Sequence, residues 1–241
     1  MYYEPGRTDH GLPHDPFKSC VVPRPIGWIS TVDSAGADNL APFSQFQNVS
    51  FDPPMVLFAA NQDSRGRRKD TVRNAEQTGE FVWNMATWDQ REAVNASAQE
   101  VGPDVDEFEL AGLLKLDSRI VRPKRVSGSP IQFECKVITT LRLPGGGLMG
   151  TVDVVFGRVV GVHISDSVLD EHGRVDVLKA RPIARMGYYE YTVVDNKFDM
   201  VIPGDQRALL GGLEGSASKV RAAADPAGSS GAARQPERDR E

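Results

Sequence analysis

KSCVVPRPIGWISTVDSAGADNLAPFSQFQNVSFDPPMVLFAA, Lys18 to Ala60, is apolar enough for a protein interior, yet prolines and small polar residues break it repeatedly. Val21, Val22, Ile26, Trp28, Ile29 and Val32 favour a strand from Cys20 to Val32. Pro23 and Pro25 cannot donate to a sheet ladder, so they mark an edge, a bulge or an entry loop. DSAGADN, Asp33 to Asn39, is a turn by composition. LAPFSQFQNVSFD then reads as a second strand interrupted at Pro42, and PPMVLFAAN as a short, buried third.

Strands continue on both sides of a helical insert. QDSRGRRKDTVRNAEQTGE is a basic loop followed by a helix that starts near Asp70, with Asp70 or Thr71 as its N-cap, and stops at Gly79. EFVWNMAT returns to strand; WDQREAVNASAQE reads as a second helix, and PDVDEFELAGL as helix or turn. RIVRPKRV, SPIQFECKVITTLRL and TVDVVFGRVVGVHI are strand-like. RLPGGGLMGTVD matches the dinucleotide fingerprint at Gly145, Gly147 and Gly150, but a β-branched strand follows it, where a phosphate-binding loop needs a helix to open. A hairpin turn is the better reading. The expected fold class is mainly β with inserted helices, a closed or nearly closed barrel. Residues 1–17 form a polar arm, 18–203 the domain, and 204–241 an extension expected to be disordered from about residue 214, where Gly, Ala, Ser, Pro, Arg and Glu take over.

Composition excludes several functions. A net charge of −5 over 241 residues argues against general nucleic-acid binding. Two cysteines, Cys20 and Cys135, make no disulfide framework and read as structural thiols. No stretch approaches the roughly 18 apolar residues of a membrane span. MYYEPGRTDHGLPHDPFKSC has no basic region followed by an apolar run, so no signal peptide is expected and the cytoplasm is the expected location. His10, His14 and His172 sit in polar loops without metal-ligand spacing, and no metal is expected.

A flat ligand with polar edges, lying against a barrel wall, needs backbone groups freed from the ladder and small polar side chains nearby. Proline-broken strands with Ser30, Thr31, Ser44, Asn48 and Ser50 offer both. A phosphate on that ligand needs cations and N–H groups, which RRKDT (Arg67 to Thr71) supplies at a helix start. These are the parts of a flavin mononucleotide site. The same residue types also make ordinary turns and a solvated basic loop, and both readings stay open on residue types alone.

RPIGWISTVDSAGADNLAPFSQFQNVSFDPPMVLFAA, RKDTVRNAEQTGEFVWNMAT, VDEFELAGL, SPIQFECKV, GRVVGVHISD and RPIARMGYYEY together resemble, in order and spacing, the flavin reductase-like family with its FMN-binding split barrel. The resemblance runs from about Cys20 to Tyr191. It implies a homodimer that binds FMN near the subunit interface, with NADH or NADPH as co-substrate. Carried over residue by residue, it implies that Ala41, Pro42, Phe43, Ser44 and Asn48 run along the flavin ring. It assigns Ser30, Thr31, Arg68, Lys69, Asp70 and Thr71 to the ribityl chain and phosphate. His163, Arg185 and Tyr188 would complete the pocket and admit nicotinamide or substrate. The negative charge of reduced flavin near N1 would meet backbone N–H groups around Ala41 to Ser44 or Asn48. Tyr188 departs from the small residue or Gly that such proteins commonly carry, which reshapes the mouth. Three functions follow: a flavin reductase feeding a flavin-dependent monooxygenase; a flavoprotein that keeps FMN and reduces an organic substrate, metal ion or redox partner directly; and a flavin-binding module without turnover.

Overall fold

Residues 1–200 are described in the computed structural model. One helical turn, α1 (Phe17–Cys20), leads to β1 (Arg24–Pro25) and β2 (Gly27–Val32). The strand expected from Cys20 thus begins in earnest only at Gly27, because Pro23 and Pro25 leave too few donors for a ladder before it. Next come β3 (Asp38–Phe43), β4 (Phe46–Phe51) and β5 (Pro54–Asn61). The single strand expected over residues 40–52 is two strands, and the break falls at Ser44–Gln45 rather than at Pro42.

Helix α2 (Asp70–Thr78) starts one residue earlier than an Asp70 cap implies: Lys69 is the N-cap, and its side chain makes no capping bond. It ends as expected on Gly79, which takes the left-handed φ of 71° that a C-terminal glycine accepts without strain. The remaining elements are β6 (Glu80–Asn84), α3 (Arg91–Ala96), α4 (Glu107–Leu110), β7 (Lys115–Leu116), β8 (Arg125–Val126), β9 (Ile131–Leu143), β10 (Val152–Ile164), α5 (Val177–Ala180), β11 (Ile183–Arg185) and β12 (Tyr191–Val193). RIVRPKRV gives only the two-residue β8, for a reason set by Glu134 below. The glycines at 145, 147 and 150 lie in the connection between antiparallel β9 and β10, a hairpin. The expected extension 204–241 lies outside the described residues.

Seven strands pair in the order β3-β2-β6-β9-β10-β5-β4. The two edge strands, β3 and β4, are separated in the chain only by Ser44 and Gln45. A sheet whose opposite edges are joined by so short a step must curl until they meet. The Ala59 N–H donates to the Gln45 carbonyl at 2.8 Å and pins that corner to β5. The result is a barrel with a seam between β3 and β4, a split barrel. Its interior holds Ile29, Phe46, Phe58, Phe81, Cys135 and Val155. Phe46 stacks on Trp83 with centroids 5.2 Å apart, and Phe81 meets Phe58 edge-on at 5.3 Å. Burial pushes the Cys135 thiol above its ordinary pKa, so it packs as an inert apolar group. A second cluster, Trp28, Leu40, Val94, Phe108 and Val126, seats α3 and α4 outside the barrel.

Gly157 shows how tightly the interior is filled. A Cβ at that position would drive into the Phe81 ring and touch Cys135. Gly157→Ala is expected to cost about 1–3 kcal/mol of stability through overpacking, read as a lower urea midpoint.

Candidate functional site

Loop 63–69 is built by one carboxylate. Asp63 accepts the N–H groups of Arg65 at 2.9 Å and Arg67 at 2.7 Å, and the Arg67 Nε at 2.8 Å. Its own N–H donates to the Arg67 carbonyl at 2.8 Å, which closes the loop. The loop delivers Lys69 to the N-terminus of α2. There the N–H groups of Asp70 and Thr71 have no acceptor among the described residues. An unpaired helix N-terminus favours anions. The Thr71 hydroxyl accepts Asn39 Nδ2 at 2.9 Å, which fastens this end of α2 to β3.

Between these elements lies a cleft of about 550 Å³. Ala41, Pro42 and Phe43 of β3 form one wall, loop 63–69 and the start of α2 the other, and Ser97 to Pro103 with Glu107 the rim. Trp28 donates its indole N–H to the Ser97 hydroxyl at 2.9 Å and holds the near end of the rim.

Pro42 sets the chemistry of the β3 edge. It lies opposite Trp28 in the β2–β3 register and has no N–H, so this cannot be a hydrogen-bonded pair. Alternation then turns the backbone groups of Leu40 and Pro42 outward, and the Leu40 N–H is taken by Glu107 Oε2 at 3.0 Å. From Leu40 to Pro42 the outward edge therefore offers carbonyl acceptors. The N–H groups of Ala41 and Phe43 face β2. Of the N–H groups expected around Ala41 to Ser44 or Asn48 to meet a flavin's negative charge, those of Ala41 and Phe43 are therefore turned inward by the register. Burial pushes the Glu107 carboxyl above its ordinary pKa against the pull of the Leu40 N–H, and Asp106 and Asp70 add to the rise.

The cations are mostly committed. Arg67 pairs with Asp63 at 2.8 Å, and Arg73 with Asp70. Arg68 pairs with Glu76 at 2.7 Å and with Asp153 at 3.0 Å. Lys69 Nζ reaches Glu100 at 2.8 Å, and Glu100 also accepts the Ser64 hydroxyl at 2.6 Å. Arg65 has no ion-pair partner among the described residues.

Ala41, Pro42, Phe43, Arg68, Lys69, Asp70 and Thr71 thus meet in one cleft. Ser30, Thr31, Ser44, Asn48, His163, Arg185 and Tyr188 do not line it. Ser30 and Thr31 are fully buried: Ser30 donates to the Lys124 carbonyl at 2.5 Å, and Thr31 accepts Asn74 of α2 at 3.3 Å. Asn48 is exposed on β4. Arg185 donates to the Tyr191 hydroxyl at 2.9 Å and to the Tyr188 carbonyl. His163 lines a second cleft, of about 640 Å³, with Arg119, Arg125 and Gln132. Its Nε2 lies 2.6 Å from the fully buried Glu134. Sequence reading missed Asn39, Asp63, Ser64, Glu100 and Glu107. Only Asp63 carried a signal, an acidic residue two and four positions before the Arg65 and Arg67 N–H groups that it caps. Among the described residues no cluster of His, Cys, Asp and Glu is placed to hold a metal, and no helix is long and apolar enough to cross a membrane.

The flavin reductase like domain model matches residues 19–191. An uncharacterized protein of Aquifex aeolicus (strain VF5) is 37% identical over 171 residues, covering 70% of this chain and 84% of its own. Nitrilotriacetate monooxygenase component B from Bacillus cereus superposes with a TM-score of 0.75 at 28% identity, over 83% of this chain and 98% of that one. The 2-nitrobenzoate 2-nitroreductase of Pseudomonas fluorescens gives 0.68 at 26%, over 78% and 88%. With a split barrel, a cleft between its edge strand and an open helix N-terminus, and a family match across most of its length, the chain belongs to the flavin reductase-like domain family.

Proposed function

We propose that the cleft binds FMN and that the protein is an NAD(P)H-dependent flavin reductase. The observation that carries this reading is the open N-terminus of α2 beside Lys69, at one end of a cleft whose long wall is an edge strand. The donor set fits a phosphorylated flavin: two free N–H groups, the Lys69 ammonium and Arg65 for the phosphate, and Ala41, Pro42 and Phe43 for a planar ring. Bound FMN supplies N5 as the acceptor of hydride from a reduced nicotinamide. The chain's part is to hold the phosphate, to lay the ring against β3 and to present the Leu40 and Pro42 carbonyls to donors on its edge.

A second copy of this chain completes the proposed site. The outer face of the sheet leaves Ile138, Leu141 and Leu143 of β9 and Phe51 of β4 exposed, an apolar surface that suits a homodimer interface. Val162 and Ile164, also exposed, line the second cleft with His163, toward the other end of the β9–β10 ladder from Leu141 and Leu143.

The first destination we propose for the reduced flavin is a flavin-dependent monooxygenase, supported by the resemblance to a monooxygenase component. The resemblance to a nitroreductase supports a second reading, in which an organic acceptor is reduced directly on the protein. Anaerobic titration of the FMN-loaded protein with NADH, followed at the flavin absorbance, tests the proposal. Bleaching supports it, and a chain that takes up no FMN overturns it.

Lys69→Ala is expected to weaken FMN binding roughly tenfold, the loss of one charge-assisted phosphate contact. Riboflavin, which lacks the phosphate, should bind as before. Calorimetric titration with both flavins reads the difference.

A further inference from the structure

Glu100 sits where a phosphate belongs. Its carboxylate lies 2.8 Å from Lys69 Nζ, accepts the Ser64 hydroxyl at 2.6 Å and the Ser64 N–H at 3.2 Å, and lines the same cleft as the open N-terminus of α2. Lys69 first, then Ser64, hold the Glu100 carboxyl below its ordinary pKa, so it is an anion at neutral pH. An anion on a side-chain ammonium, a hydroxyl and a backbone N–H is what a phosphate would be in the same place. Nothing else about Glu100 requires this contact. Its side chain is 42% exposed, and it belongs to a rim held at its other end by the Trp28–Ser97 bond.

We propose that Glu100 is an affinity-setting residue that competes with the flavin phosphate for Lys69 and Ser64. This rests on the reading of the cleft as an FMN site. Binding of FMN must displace the Glu100 carboxylate, and release of FMN lets it return. The displaced contact subtracts from the affinity for a phosphorylated flavin and leaves an unphosphorylated one untouched. A site built this way exchanges its flavin readily. It therefore suits a protein that hands reduced flavin on better than one that keeps it.

The test is flavin affinity in Glu100→Ala, measured by calorimetry beside the unaltered chain, Lys69→Ala and the double variant. Glu100→Ala should bind FMN roughly fivefold more tightly, the scale of one exposed ion pair. Its riboflavin affinity should not change, and its thermal midpoint should fall by no more than about 2–4 °C, the loss of the same ion pair. In the Lys69→Ala background the same substitution should gain much less, because the contested ammonium is gone. FMN affinity that is unchanged or weaker in Glu100→Ala, while Lys69→Ala weakens it, overturns the competition and leaves the FMN site standing. Failure of every variant and of the unaltered chain to bind FMN overturns both.

Discussion

Arg68→Ala should be among the most destabilising single changes in this protein, at about 3–5 kcal/mol. The guanidinium donates Nε to Asp153 Oδ2 at 3.0 Å and one terminal nitrogen to Oδ1 at 3.2 Å, and its other contacts reach Glu76 at 2.7 and 2.8 Å. The Asp153 side chain is 2% exposed. With Arg68 gone, its nearest remaining cation among the described residues is Arg142 at 3.8 Å, too far for a hydrogen bond. A buried carboxylate left so poorly paired is the costly outcome, not the loss of the pair itself. Arg68→Ala with Asp153→Ala should therefore recover part of the loss, and a double-mutant cycle reads the coupling. For a chain of this size the single variant should melt roughly 10 °C lower. The same variant separates structure from binding. Below its melting range, its FMN affinity should stay within a fewfold of the unaltered chain, because both carboxylates already occupy the guanidinium. Loss of FMN binding on the scale expected for Lys69→Ala, without a fall in stability, would return Arg68 to the phosphate site.

Arg68 also marks the boundary of what the sequence made legible. RRKDT read correctly as a basic helix start, because charge and N-terminal position are local properties. Which of its cations is available is not local. Arg68 is committed to a residue 85 positions away, Asp153, whose place depends on how β10 pairs with β5. The same holds for Ser30 and Thr31, which read as ligand contacts but serve to bind Lys124 and α2. Pro42 is the instructive case. A proline suggested an interruption, yet it lies within β3, because its missing N–H falls where the register needs none. The real break, at Ser44–Gln45, carries no proline or glycine; it is imposed by closure of the barrel, which no short window of sequence contains. The hairpin at Gly145 to Gly150 was legible because the strand that follows it is itself a local signal.

Glu134 is the second residue whose removal should be felt throughout the fold. It is fully buried on β9. It accepts the N–H groups of Arg119 at 2.8 Å, Ile120 at 2.6 Å and Val121 at 3.0 Å, with His163 Nε2 at 2.6 Å. Those three donors would otherwise belong to a strand, so the carboxylate is the reason RIVRPKRV turns into a loop. Burial alone would push its pKa up; the Arg119 N–H, His163 and the N–H groups of Ile120 and Val121 outweigh it and take the group from 4.5 down to about 2. A folded-state pKa below the unfolded one means stability that is complete above pH 4.5 and is lost as pH falls toward 2. The shift corresponds to about 3 kcal/mol. Glu134→Gln puts an amide nitrogen against at least one N–H donor and should cost about that much at pH 7. Urea midpoints from pH 7 to pH 2 would read both effects. The two curves should converge in acid, since the protonated carboxyl and the amide each leave donors unmet. A constant gap between them across that range would mean that the loop is held by packing and not by the charge on Glu134.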